Sequence, residues 1–137
     1  MRPIILDSEA VSRLARAHQG AATGAVHHWI RAAADVGARI IVPAAVLSEQ
    51  YRGTGHDQFV NACLSRYPGI EIVDTTRALA RMIGNLLSRA KVGSEHHVDA
   101  SVVASAIMAG TGVILTSDPS DIGMLSGGNP SIQIIQI

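Results

Sequence analysis

Ile4-Ile5-Leu6-Asp7-Ser8 is a short apolar run that stops at a carboxylate, and Val113-Ile114-Leu115-Thr116-Ser117-Asp118 repeats the arrangement late in the chain. Runs of Ile, Leu and Val without polar alternation belong to strands buried on both faces. Arg39 to Val42, closed by Pro43, and Ile70 to Val73 read the same way. Helical patterns lie between these runs. They cover Ala10 to His18, Val26 to Val36, Ala44 to Arg52, Asp57 to Arg66, a long stretch from a cap at Asp74, Thr75 or Thr76 to Ala90, Glu95 to Ala109, and Ser120 to Leu125. Gly37, Gly53 and Gly110 stop three of them, and Pro43 suits the start of another. A last strand, Ile132 to Ile137, is expected near a sheet edge. Strands alternating with helices predict an α/β sandwich, its mainly parallel sheet covered on both faces through right-handed crossovers.

Composition narrows the class. The 137 residues fit one domain, and 47% hydrophobic with 16% charged residues excludes disorder. No apolar run approaches the ~20 residues of a membrane span. The opening MRPIILDSEA lacks a signal-peptide pattern. Cys63 is the single cysteine, which excludes an internal disulfide and a Cys-based zinc site. The expectation is a soluble, cytoplasmic chain with no membrane partner. Eleven basic and eleven acidic residues leave a net charge of zero, which argues against holding nucleic acid by bulk electrostatics but not against a local basic rim. The basic set is all Arg apart from Lys91. That skew suits phosphate contacts and equally follows from codon composition.

Four acids occupy awkward positions. Asp7 and Asp118 should lie at the C-terminal ends of parallel strands, where open α/β sheets bind ligands. Asp99 shares an i, i+3, i+4, i+7, i+8 stripe with Val102, Val103, Ala106 and Ile107, and Glu49 shares a helix face with Ala45 and Val46. Each has a plain alternative: helix caps for Asp7 and Asp118, a first-turn acid for Asp99, an exposed helix acid for Glu49. One hard divalent cation, Mg²⁺ or Mn²⁺, accounts for all four together, because an unpaired buried carboxylate is costly and such ions take oxygen ligands. Clustered carboxylates around this ion suit phosphoryl chemistry by metal-activated water. Ser8, Thr116 and Ser117 could orient carboxylates or a water, or serve as caps and turn residues. Asp121 is either an auxiliary ligand or a first-turn acid.

In this order and spacing, Ile4-Ile5-Leu6-Asp7-Ser8, Val42-Pro43-Ala44-Ala45-Val46-Leu47-Ser48-Glu49 with Tyr51-Arg52-Gly53, Val98-Asp99-Ala100 and Leu115-Thr116-Ser117-Asp118-Pro119 resemble a PIN-domain ribonuclease of the VapC toxin type, over nearly the whole chain. The resemblance implies a three-layer α/β/α fold across a single PIN-like domain, residues 1–137. It implies Mg²⁺- or Mn²⁺-dependent cleavage of RNA, with metal ligands at Asp7, Asp99 and Asp118 and Glu49 acting through water. It also implies a homodimer and a cognate antitoxin covering the site. Two positions depart from the family's pattern: Glu9 stands where relatives carry a small residue, and His96 where many carry an acid. His96 and His97 do not form a zinc pair, since adjacent helical side chains diverge.

Aromatics are 3% of the chain, so base stacking does not dominate RNA binding. Arg13, Arg16 and Arg52 follow the metal-site elements and could grip phosphates, or simply solvate helix faces. His27 and His28 are placed on a helix surface, with Trp29 packing inward. Trp29, Met82, Leu86 and Leu87 are either core or a docking face for a dimer mate or antitoxin. Competing functions are a catalytically silent PIN scaffold that binds an antitoxin or RNA, and a Mg²⁺-dependent phospho-acceptor or phosphatase domain. The phospho-acceptor wants a late strand-end lysine, which Lys91 does not supply. The phosphatase wants Asp-x-Asp where this chain has Asp7-Ser8-Glu9.

Overall fold

A computed structural model describes residues 1–16 and 24–137. The loop expected at Gln19 to Gly24 and the expected helix end at His18 lie almost wholly outside the described residues. In chain order the elements are β1 (Ile4–Leu6), α1 (Ser8–Arg16), α2 (Ala25–Asp35), β2 (Ile40–Pro43), α3 (Ala44–Gln50), α4 (Thr54–Arg66), β3 (Ile70–Val73), α5 (Arg77–Ala90), a 3₁₀ turn (Ser94–His96), α6 (His97–Met108), β4 (Gly112–Thr116), α7 (Pro119–Ser126) and β5 (Ile132–Gln136). The five strands form one parallel sheet in the order β3-β2-β1-β4-β5. The α/β/α expectation therefore holds, and β5 is an edge strand.

This order positions the site. The chain winds outward from β1 to β3, then returns to β4 on the other side of β1. The switch in winding direction falls between β1 and β4, the place where such sheets bind ligands beyond their strand ends. Ile4, Ile5 and Leu6 are completely buried, as are Ile114 and Leu115. Leu6 pairs with Leu115, so Asp7 and Thr116 emerge side by side.

Helix boundaries move where side chains cap ends that a periodicity reading treats as loop. The Asp7 carboxylate accepts the Ala10 amide (2.8 Å), so α1 starts at Ser8 rather than Ala10. Asp57 accepts the Arg52 and Gly53 amides (2.9 and 3.2 Å), and α4 starts at Thr54 rather than Asp57. The helix expected over Glu95–Ala109 divides into the 3₁₀ turn and α6.

The apolar stripe read on α6 is also corrected. Every residue from Ala100 to Ala106 is buried, so the helix has no single inward face. It contacts β1, β2 and β4 as well as α3, α5 and α7. Its hydroxyls are satisfied internally, Ser101 on Val98 O (2.6 Å) and Ser105 on Ser101 O (2.8 Å). Small residues permit close approach to the sheet: a Cβ on Gly112 would stand 3.1 Å from Ala106 Cβ. Leu86 is core at 1% exposure and offers no docking face. Trp29 packs partly buried against the core, whereas His27 is half-buried with Nδ1 3.1 Å from the Tyr67 hydroxyl. Among the described residues, no helix is long and apolar enough to cross a membrane.

Candidate metal centre

Asp7 is 6% exposed beyond β1. Burial raises its pKa, against opposing hydrogen bonds from the Thr116 side chain and the Ala10 amide. The Thr116 hydroxyl also accepts the Asp118 amide at 2.9 Å. One buried hydroxyl at the end of β4 thus ties together the acids that follow β1 and β4. Asp118 is exposed and caps α7, its Oδ1 accepting the Asp121 amide at 3.3 Å. Hydrogen bonding to Asp118 raises the pKa of Asp121.

Asp99 enters from the first turn of α6, half-buried. Its pKa is pushed up to about 6, first by burial and then by the charges of Asp121, Asp7, Asp118 and Glu49. Four strand-end and helix-end acids from three separate parts of the chain therefore act on one carboxyl. Glu49 is exposed at the end of α3 and accepts a hydrogen bond from the Ser8 hydroxyl. The Gln50 amide group donates to Ser8 O at 2.9 Å, which locks α3 against the start of α1. Asp7, Glu49, Asp118 and Asp121 thus lie near enough to act on Asp99, but among the described residues the expected ligands Asp7, Asp99 and Asp118 do not bring their carboxylate oxygens within 4.8 Å of one another.

The arginines behave differently. Glu9 does not stand free beside the cluster: it pairs with Arg13 (3.2 Å) and Arg16 (3.0 Å) along α1. Burial lifts the Glu9 pKa, but hydrogen bonds from the two arginines outweigh it and the net shift is downward. Arg52 donates to Ser48 O (2.8 Å) and Tyr51 O (2.7 Å), closing the C-terminus of α3.

Residue-by-residue reading missed His96 as a member of the site. His97 is exposed, so the two histidines do diverge, but His96 Nδ1 lies 3.9 Å from Asp121 Oδ2. His96, Asp99 and Asp121 each offer a ligand atom within 4.8 Å of the others. The available signal was the three-residue spacing from His96 to Asp99.

The sequence matches no protein-family model and no curated protein. Its structure does have solved neighbours. A chain of VapBC2 from Rickettsia felis, bound to a DNA fragment from its promoter, superposes with a TM-score of 0.71 at 15% identity, covering 98% of both chains. A chain of DNA-bound VapBC from Salmonella typhimurium gives 0.69 at 13% identity, covering 99% of this chain and 98% of that one. The chain has a PIN-type fold. At this identity the likeness establishes the fold alone. Within the PIN-type fold, the crevice beyond β1 and β4 is where the acids of this chain gather.

Proposed function

We propose that the chain is a divalent-metal-dependent endoribonuclease serving as the toxin of a toxin–antitoxin pair. The observation that carries the reading is the convergence of Asp7, Glu49, Asp118 and Asp121 on Asp99. Like charges crowded at a sheet end raise each other's cost of ionisation, and a hard cation relieves all of them at once. The donor set fits Mg²⁺ or Mn²⁺: Asp7, Asp99 and Asp118 would hold the ion, with Glu49 acting through water. An ion held there would supply the Lewis acidity that phosphodiester hydrolysis by water needs.

The chain's own groups do the rest. Thr116 fixes Asp7 relative to Asp118. Ser8 fixes Glu49, and Asp121 supports the outer side of the cluster. Arg52 and Arg13 receive substrate phosphates on either side, Arg13 by turning from Glu9. The partners in this reading are RNA, a second copy of the chain and a cognate antitoxin, with the 137 residues acting as one cytoplasmic PIN-like domain. The fold shared with chains of two VapBC complexes supports the antitoxin.

The test is cleavage of end-labelled RNA by purified protein in Mn²⁺ or Mg²⁺. Asp7→Asn and Asp99→Asn should each reduce the rate on the order of a hundredfold or more while the protein stays folded. Wild-type rates in both variants overturn the assignment. Antitoxin binding without cleavage of any RNA would favour the silent-scaffold reading instead.

A further inference from the structure

The acids of the crevice are not its only candidate ligands. His96 sits in the 3₁₀ turn three residues before Asp99, and Asp121 arrives from the first turn of α7. The helix-to-helix contact of α6 with α7 brings the three together. Their ligand atoms lie within 4.8 Å of one another, and the His96–Asp121 pair is already at 3.9 Å. Two donors on one transition-metal ion, each about 2.1 Å from it, stand roughly 3.0–3.4 Å apart. Closing the cluster onto an ion therefore takes shifts on the order of 1 Å, within reach of side-chain rotation at partly exposed groups.

We propose that His96, Asp99 and Asp121 form a nitrogen-containing site for a borderline transition-metal ion of the Mn²⁺, Co²⁺, Ni²⁺ or Zn²⁺ class, beside the all-oxygen set of Asp7, Asp99 and Asp118. The chemistry follows from the donors. Mg²⁺ prefers oxygen donors and keeps its waters, whereas imidazole suits the later first-row ions, which two carboxylates also accept. The Asp121 backbone amide donates to Asp118 Oδ1 at 3.3 Å, so the turn that carries the outer ligand is capped by a member of the oxygen set. Asp99 is common to both sets and bridges them. The inference goes beyond the nuclease reading, because it concerns ligation and stands or falls without any RNA being cut.

The test uses untagged protein stripped with a chelator. Calorimetric titration should show Co²⁺ binding at least about tenfold tighter than Mg²⁺. His96→Gln should reduce Co²⁺ affinity about tenfold or more and leave Mg²⁺ affinity within about twofold, with His97→Gln unchanged for both ions. Pulsed electron paramagnetic resonance of the Mn²⁺-loaded protein should detect coupling to a ligand nitrogen in the wild type and in His97→Gln, and none in His96→Gln. Absence of nitrogen coupling in the wild type, or Co²⁺ affinity unmoved by His96→Gln, overturns the proposal. Loss of RNA cleavage in Asp7→Asn bears on the nuclease reading alone, so the two can fail separately.

Discussion

Asp99 concentrates the electrostatics of the molecule in one carboxyl. Its folded pKa of about 6 lies above the ordinary 3.8, so between these values the folded chain binds protons that the unfolded chain has released. Stability then falls as pH rises through that window, and whatever the protonated form contributes is gone above it. Burial raises the Asp7 pKa as well and adds in the same direction. In chelator, the melting temperature should therefore decline from about pH 4 to pH 6–7 more steeply in the wild type than in Asp99→Asn. At pH 7 the variant should be the more stable by on the order of 1–2 kcal/mol, after allowance for solvent screening. Thermal melts across that range check it, and parallel curves for the two proteins would show that Asp99 carries no such strain. The strand-end acids at this site were legible in the sequence, because an apolar run that halts at Asp7 or Asp118 marks a strand end. His96 was not, because its contact with Asp121 exists only once α7 docks on α6.

At the scale of elements, spacing between helix and sheet decides what the structure tolerates. Gly112 opens β4 with no special backbone demand, but a Cβ there would stand 2.5 Å from Ile5 Cδ1 and 3.1 Å from Ala106 Cβ. The Ile5 methyl could swing away only within a filled core, and Ala106 has no freedom to give. Gly112→Ala should accordingly cost about 1–3 kcal/mol by overpacking. Denaturant titration reads the loss as a lower midpoint at unchanged slope. Gly84, with nothing within 4 Å of a built Cβ on the exposed side of α5, is the matched control, and Gly84→Ala should stabilise by about 1 kcal/mol or less. The strands themselves were readable from unbroken Ile, Leu and Val runs. The Asp7 cap of α1 was readable too, as an alternative role for that acid, whereas the start of α4 was not, because the Arg52 and Gly53 amides reach Asp57 through bonds that periodicity does not register. The α6 stripe misled for a related reason: a helix of small residues buried all round has no polar face to set its phase.

Across the whole molecule, the sheet is innermost at β1 and the site lies where the winding reverses, so the acids are held by the most buried part of the fold. α4 lies farther out, packed on α1, the helix whose start Asp7 caps. Cys63 on α4 reports whether this outer layer moves with the sheet. Its side chain is fully enclosed, and burial pushes the thiol up to about 11, only partly offset by Arg66. A disulfide reagent needs both access and thiolate, and the folded chain supplies neither near neutral pH. Cys63 should stay unmodified in native buffer. Its modification should rise in denaturant along the same curve as the loss of helical circular dichroism, as expected of one cooperative unit. Labelling that runs well ahead of that curve would instead mean that α4 opens while the sheet stays intact.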